Sequence, residues 1–241
     1  MIDTHCHVLP GIDDGPSTLV EAIELAQVFV SQGVEVAVCT PHWSRAFPTS
    51  HARATAAKDV LSEALHQASV PLGLVVSAEL SDVVAATNPV TEIRERSIVG
   101  RAVLVEMVRD SLPIHAAVVT RRLGSAGLIT VLAHPERCTA IQREPHLLDP
   151  LRADGAQVQL VAPSLASRRA TREGYTAWDL LETGRVDLVA SDAHGTGRRP
   201  CELRAAEDLV TERFGSDVWQ ELTREAPRRL LGALTPAPHP V

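Results

Sequence analysis

The first 42 residues, MIDTHCHVLPGIDDGPSTLVEAIELAQVFVSQGVEVAVCTPH (1–42), contain one complete strand–helix–strand unit. A short β-type start at 2–4 runs into His5-Cys6-His7. Thr18 and Glu21 then form a capping-box pattern, Leu19, Ile23, Ala26 and Val30 give an apolar helical face, and Gly33 supplies the stop. A second apolar run at 34–40 follows and ends just before His42. Because strand side chains alternate, His5 and His7 fall on one side, where both can reach a single metal ion. Cys6 points the other way and reads as a small core-facing thiol.

The same unit recurs along the chain. Apolar runs at 72–78, 102–105, 128–133, 158–161 and 186–190 alternate with segments of helical period, such as 54–68 with its stripe of Ala57, Val60, Leu61, Ala64 and Leu65. Seven candidate strands alternating with helices predict a parallel sheet covered by helices. Polar residues at the strand ends add a further constraint: His5 and His7, His42, Glu79, Glu106, His134, and Asp192 with His194 follow six of the seven runs. An open sheet would spread these along a line, whereas a β/α barrel gathers them at one rim, so the barrel is the expected architecture. Helices at 202–214, 217–225 and 227–231 complete a single domain over 1–232. The proline-rich stretch 233–241 reads as a disordered tail, which sets His239 aside.

Composition narrows the function. The chain has 241 residues, is 45% hydrophobic and carries a net charge of −7, which argues against a nucleic-acid binder. No stretch approaches the roughly 20 apolar residues of a spanning helix, and the start lacks the features of a signal peptide, so a cytoplasmic location without membrane insertion is expected. Cys6, Cys39, Cys138 and Cys201 lie far apart and read as reduced thiols rather than a zinc ribbon or disulfide framework. Lys58 is the only lysine against 22 arginines, which leaves little room for a Schiff-base or P-loop lysine.

Imidazole and carboxylate donors suit zinc, manganese or iron, and these outnumber what one ion can use. Glu79 and Glu106 each end an apolar run, where a buried carboxylate is costly unless a cation compensates it. Asp13 and Asp14 precede Gly15-Pro16, a sequence typical of turns and helix caps, but their place beside the HxH strand end makes one of them a ligand candidate. His51, His66, His115 and His146 lie away from strand ends and read as surface residues. Arg137 and Arg199 stand beside the candidate ligands, and guanidinium forks bind phosphate oxygens bidentately. The alternative for Arg137 is a simple pair with Glu136 or a neighbouring carboxylate.

Taken together, HxH near the N-terminus, TPH at 40–42, Glu79, Glu106, AHPER at 133–137 and SDAH at 191–194 resemble the PHP (polymerase and histidinol phosphatase) superfamily. Within it, HCHVLPGIDDGPST and SDAH followed by RP are similar to the bacterial manganese-dependent protein-tyrosine phosphatases of capsule and exopolysaccharide synthesis. The resemblance implies a distorted seven-stranded β/α barrel holding two to three divalent ions, with manganese favoured. By position, His5, His7, Glu79 and Asp192 would hold the first ion. Glu79 would bridge to a second completed by Glu106 and His134, and Asp14, His42 and His194 would hold the third.

Arg137 and Arg199 fall at the family's phosphate-binding arginines. The implied reaction is phosphomonoester hydrolysis with water as nucleophile and no phosphocysteine, His194 or Asp14 being placed to protonate the leaving group. The implied substrate is a phosphotyrosine-containing protein such as a bacterial tyrosine kinase. Departures from the family pattern, Cys138 in place of an aromatic residue, QLVAPSL at 159–165 and Cys201 in place of a proline, bear on specificity. The competing readings are another PHP hydrolase, acting on histidinol phosphate or a phosphodiester, and a non-catalytic metal-binding regulator of a tyrosine kinase.

Overall fold

In the computed structural model, which describes residues 1–111 and 113–232, nine strand segments alternate with helices. The expected tail at 233–241 lies outside the described residues. The strands are β1 (Ile2–Cys6), β2 (Val36–Cys39), β3 (His42–Trp43), β4 (Gly73–Val76), β5 (Glu79–Leu80), β6 (Ala102–Glu106), β7 (Ile129–Ala133), β8 (Gln157–Val161) and β9 (Leu188–Ala190). All pair in parallel, in one sheet of order β1-β2-β4 and a second of order β3-β5-β6-β7-β8-β9.

The expected runs 34–40 and 72–78 hold β2 and β4, and each is followed just beyond its end by a further two-residue strand, β3 and β5. Pro41, between β2 and β3, has no N–H to give to a ladder, so regular pairing stops there. The chain still runs on alongside its neighbour, with Ser77 N–H donating to Cys39 O (2.8 Å) and Glu79 N–H to Pro41 O (3.1 Å). At the other margin, Asp192 N–H donates to His5 O (2.8 Å), His7 N–H donates to Ala193 O (2.9 Å), and Cys6 bridges Ala193 in parallel. The segment after β9 is therefore bonded to β1 of the smaller sheet.

The helices are α1 (Leu19–Ser31), α2 (His51–Gln67), α3 (Asp82–Thr87), α4 (Val90–Glu95), α5 (Pro113–Ser125), α6 (Thr139–Arg143), α7 (Leu148–Ala153), α8 (Ala162–Ala166), α9 (Arg172–Glu182), α10 (Leu203–Phe214), α11 (Ser216–Gln220) and α12 (Ala226–Leu231). At the start of α1 the Thr18–Glu21 capping box forms in both directions. Gly33, at φ +87°, ends the helix by donating to Val30 O. The buried face of α1 is Ala22, Leu25, Ala26 and Phe29, rotated from the expected Leu19–Ile23–Ala26–Val30 stripe. The bulkier Phe29 turns inward, and Leu19, Ile23 and Val30 pack at the margin. On α2, Leu61 and Leu65 are buried as expected but Val60 is 55% exposed. Between α11 and α12 a π-helical turn, Glu221–Glu225, precedes Pro227, which cannot supply the regular helical N–H.

Strand residues segregate by face. Ile2, Val36, Val38, Leu104, Val131 and Leu188 meet Leu230 and Leu231 of α12 in one buried cluster. Residues of the opposite face, such as Cys6, Ala37, Cys39, Leu132, Leu160 and Val189, pack with α1, α2, α9 and α10. Apolar side chains thus support the strands on both faces and leave the polar residues to the strand ends.

Candidate metal centre

The imidazoles are oriented from behind before anything binds in front. His7 Nδ1–H donates to Asp13 Oδ2 at 2.6 Å, and His5 Nδ1–H to Gln159 Oε1 at 3.0 Å. The rings of His134 and His194 use the same edge, toward Met107 O (3.3 Å) and Asp192 O (2.9 Å). Each acceptor takes the Nδ1 proton, so in the neutral ring each Nε2 presents a lone pair.

Those lone pairs face carboxylate oxygens. His5 Nε2 lies 3.2 Å from His7 Nε2, 3.4 Å from Glu79 Oε2 and 3.3 Å from Asp192 Oδ1. His7 Nε2 is 3.4 Å from Glu79 Oε2 and 3.6 Å from Asp192 Oδ1. These five separations are close to the roughly 3.4 Å between neighbouring donors of one ion at ordinary metal–ligand lengths. Glu79 Oε2, Asp192 Oδ1 and Asp14 Oδ1 are buried with no hydrogen-bond partner among the described residues. Buried oxygens of this kind call for positive charge among them, which a bound cation supplies, or a proton on a ring such as His7.

All nine ligand candidates enter four overlapping groups, each able to hold an ion: His7, Asp14, His42 and His194; His5, Glu79 and His134; His5, His7 and Asp192; His42, Glu79 and Glu106. His42 reaches Glu79 Oε2 through Nδ1 (3.0 Å) and Asp14 Oδ1 through Nε2 (3.4 Å). His134 joins the group around His5 rather than sitting with Glu106, and His7 joins the Asp14 group.

Protonation follows the same electrostatics. Burial works against charge on His7, but its hydrogen bonds to Asp13 and Glu79 outweigh it and push the ring up to about 10. Asp13 is itself buried, yet the His7 contact brings it down to about 2. Burial would raise Asp192, but His5, His134 and Arg137 hold it well below the usual carboxylate range. Glu106 is pushed up to about 7, first by burial and then by the Glu79 charge. Burial, and then the His7 charge, takes His194 down to about 2.

Both arginines reach the same atom: Arg137 Nη1 and Arg199 Nη2 each donate to Asp192 Oδ2 at 2.6 Å. The carboxylate that pairs with Arg137 is therefore that of Asp192 rather than Glu136. Arg199 Nη1 also lies 2.6 Å from His194 Nε2. Their side chains remain 30% and 31% exposed, so donors are left for an incoming oxyanion. Backbone strain concentrates here too: His134, Asp192 and Arg199 all have positive φ (37°, 51°, 51°) without being glycine.

Sequence reasoning missed several supporting groups. Asp13 fixes His7 and also accepts from His42 N–H (3.0 Å), while Gly15 N–H donates to its other oxygen (3.1 Å). A Cβ at Gly15 would stand 2.1 Å from His7 O, so this turn admits only glycine. Gln159 on β8, which arises from the one expected run not followed by a ligand candidate, turns its amide toward Thr4 Oγ1 (2.9 Å) and its carbonyl toward His5. Fully buried Glu136 accepts from Val161 N–H (3.1 Å). The dense polar sequence around Asp13 and HPER carried the only signal for these roles. The non-site histidines fall as expected at His66, His115 and His146, which are exposed, while His51 is half-buried. Cys138 is a buried thiol donating to Ser111 O (3.2 Å).

An α/β framework of parallel strands whose carboxyl ends converge on imidazoles, carboxylates and two arginines defines a candidate multinuclear metal protein. The chain belongs to the CpsB/CapC capsular polysaccharide synthesis family, which it matches over residues 1–232. It is 31% identical to tyrosine-protein phosphatase YwqE of Bacillus subtilis (strain 168) over 228 residues, covering 94% of this chain and 90% of that protein. It is 30% identical to the putative tyrosine-protein phosphatase CapC of Staphylococcus aureus, covering 92% and 87% of the two chains. A solved structure from work on YwqE and Streptococcus pneumoniae CpsB, described as metal-dependent tyrosine phosphatases, superposes with a TM-score of 0.86 at 30% identity over 100% of this chain and 99% of that one.

Proposed function

We propose that this protein is a metal-dependent protein-tyrosine phosphatase that holds two to three divalent ions, with manganese favoured, among His5, His7, Asp14, His42, Glu79, Glu106, His134, Asp192 and His194. The observation that carries the reading is the set of buried, unpartnered carboxylate oxygens facing oriented Nε2 lone pairs, with two arginine forks at its edge. The named activity of the YwqE and CpsB relatives supports the choice of phosphotyrosine. Divalent ions bound there supply Lewis acidity, lowering the pKa of water and offsetting phosphoryl charge.

The chain's own groups do the rest. Arg137 and Arg199 hold the phosphoryl oxygens and turn from Asp192 Oδ2 toward the substrate as its charge grows. Asp13 and Gln159 keep the His7 and His5 rings in one tautomer. Of the two expected proton donors Asp14 is the one retained for the departing phenolate, since burial and the His7 charge leave His194 without a proton to give; phenolate is in any case a good leaving group that needs little help. The cysteines take no part: all four are buried, and burial pushes Cys201 up to about 12 and Cys6 well above the ordinary thiol value, which keeps both as thiols.

The distorted seven-stranded barrel belongs to the same proposal. It is supported by the bonds from Asp192 and Ala193 to β1 and by the single apolar cluster drawn from five strands and α12. A phosphotyrosine-bearing protein such as a tyrosine kinase is the proposed substrate. A cytoplasmic setting is proposed on the reduced cysteines, and no described helix is long and apolar enough to cross a membrane. The test is a panel of phosphotyrosyl peptide, histidinol phosphate and oligonucleotide, assayed on protein stripped of metal and reloaded with manganese. Metal-dependent release of phosphate from the peptide in preference to the other two is the expected result. Preference for histidinol phosphate or the oligonucleotide would replace this reading, and absence of turnover would favour a regulator.

A further inference from the structure

Beside the candidate ligands lies a cleft of about 360 Å³ bordered by Glu106, Val108, Arg109, His134, Arg137 and Glu173. Three of these, Glu106, His134 and Arg137, belong to the site already described. The other three have no role in it, and two of them come from the short segment after β6.

That segment is fixed from below. His134 Nδ1 bonds Met107 O (3.3 Å), Thr139 N–H donates to Arg109 O (2.9 Å), and the Cys138 thiol donates to Ser111 O (3.2 Å). Three carbonyls of the 107–111 loop are thus tied to the same stretch that supplies His134 and Arg137. Loop and phosphate-facing residues therefore hold a set relation to each other.

On this fixed loop Val108 is 46% exposed although apolar, and it borders the cleft. Arg109 is exposed, and its guanidinium has no ionic or hydrogen-bonded partner among the described residues. Some surface arginines are paired, such as Arg121 with Asp154 and Arg185 with Asp149, while Arg45, Arg143 and Arg172 have no such partner among the described residues; what sets Arg109 apart is its place at the cleft. An unpaired guanidinium next to an exposed valine, at the mouth of a cleft that ends at Arg137, is matched to a ligand with an anionic and an apolar part.

We propose that Arg109 is a specificity-determining residue that selects phosphotyrosine flanked by acidic side chains, with Val108 forming the wall against the tyrosyl ring. This rests on the phosphatase reading. When Arg137 holds the phosphoryl group, the ring passes Val108 and the neighbouring peptide residues reach Arg109. Arg109 does not touch the reacting atoms; its effect is on binding of the peptide flank. The contact is exposed, so its contribution is modest and salt-sensitive.

The experiment compares kcat/KM of the manganese-loaded full-length protein on phosphotyrosyl peptides with glutamate, serine or lysine flanks, and on a simple aryl phosphate. The wild type is expected to prefer glutamate over serine flanks by about 2- to 5-fold, carried by KM and shrinking at 0.5 M salt. Arg109→Ala should abolish that preference while leaving the aryl phosphate unchanged, Arg109→Lys should retain most of it, and Arg109→Glu should invert it toward lysine flanks. Equal efficiency on all peptides, or a preference unchanged in Arg109→Ala, overturns the assignment and leaves the phosphatase reading standing. Failure of the loaded wild type to hydrolyse any aryl phosphate overturns that reading, and the role of Arg109 goes with it.

Discussion

Adjacent aspartates 13 and 14 offer the sharpest separation of roles, because the same substitution at each should produce different deficits. Asp14 Oδ1 faces His194 Nε2 at 3.2 Å and His42 Nε2 at 3.4 Å without a hydrogen-bond partner, as a ligand would. Asp13 spends its oxygens behind the site, on His7 Nδ1, His42 N–H and Gly15 N–H. In Asp14→Asn one of the donors in the His7–His42–His194 group becomes a weak neutral ligand, so metal content should fall by about one equivalent. In Asp13→Asn all nine proposed ligands remain. An asparagine can keep its carbonyl toward His7 and His42 only by turning its amide hydrogens against Gly15 N–H. Loss of such outer support typically weakens metal affinity by about 10- to 100-fold, or about 1.4–2.7 kcal/mol, without changing stoichiometry. Elemental analysis after reconstitution gives the count, and competition against a chelator gives the affinity. If Asp13→Asn lost a full equivalent while Asp14→Asn kept all its metal, the two assignments would have to be exchanged.

Replacing either Arg137 or Arg199 with alanine should lower kcat/KM on an aryl phosphate by roughly 30- to 1000-fold, from about 2–4 kcal/mol of lost transition-state contact, with metal content retained; near-wild-type efficiency would return that residue to a purely structural role. Burial raises Glu136 from 4.5 to about 7, opposed by Arg137, so the folded chain binds this proton more tightly than the unfolded one and stability falls as pH rises from about 4.5 to about 7. Glu136→Gln should remove that slope and stabilise the protein by about 2–4 kcal/mol at pH 8 but little at pH 4, read by denaturant unfolding of the two proteins at each pH; parallel pH profiles would refute it. Conversion of all four cysteines to alanine should leave turnover largely intact while chelation abolishes it, and loss of activity in a metal-replete cysteine-free variant would reinstate a thiol mechanism.

Much of this arrangement was legible because it depends on local periodicity. The runs at 102–105 and 128–133 became β6 and β7 almost residue for residue, and the Thr18–Glu21 box and Gly33 stop act within a few positions of themselves. Candidate ligands could be found because a polar residue at the end of an apolar run stands out. What the pattern did not carry is pairing over distance. His5 and Gln159 are 154 positions apart, and nothing in either neighbourhood announces the other. The shared attachment of Arg137 and Arg199 to one Asp192 oxygen is likewise a product of folding, and so is the division of labour between Asp13 and Asp14. The facing of α1 was displaced because Phe29 and Leu25 fill the space against the strands better than the stripe chosen by spacing.

The bonds joining β1 to the segment after β9 also determine when the centre can come into being. Asp3 accepts from Ser191 N–H (3.0 Å) and Oγ (2.5 Å), and Asp192 N–H reaches His5 O, so the two ends of the ligand set meet only when the chain is nearly complete. At synthesis rates of about 5–20 residues per second, His5 and His7 wait roughly 10–40 seconds for Asp192 to leave the ribosome. During that interval they form only a bidentate fragment with little power to discriminate among metals. On the proposed metal reading, selection of the ion is therefore an event of the finished chain, governed by which metals the cell makes available at that moment, and a polypeptide released before residue 192 leaves the proposed ligand set unfinished.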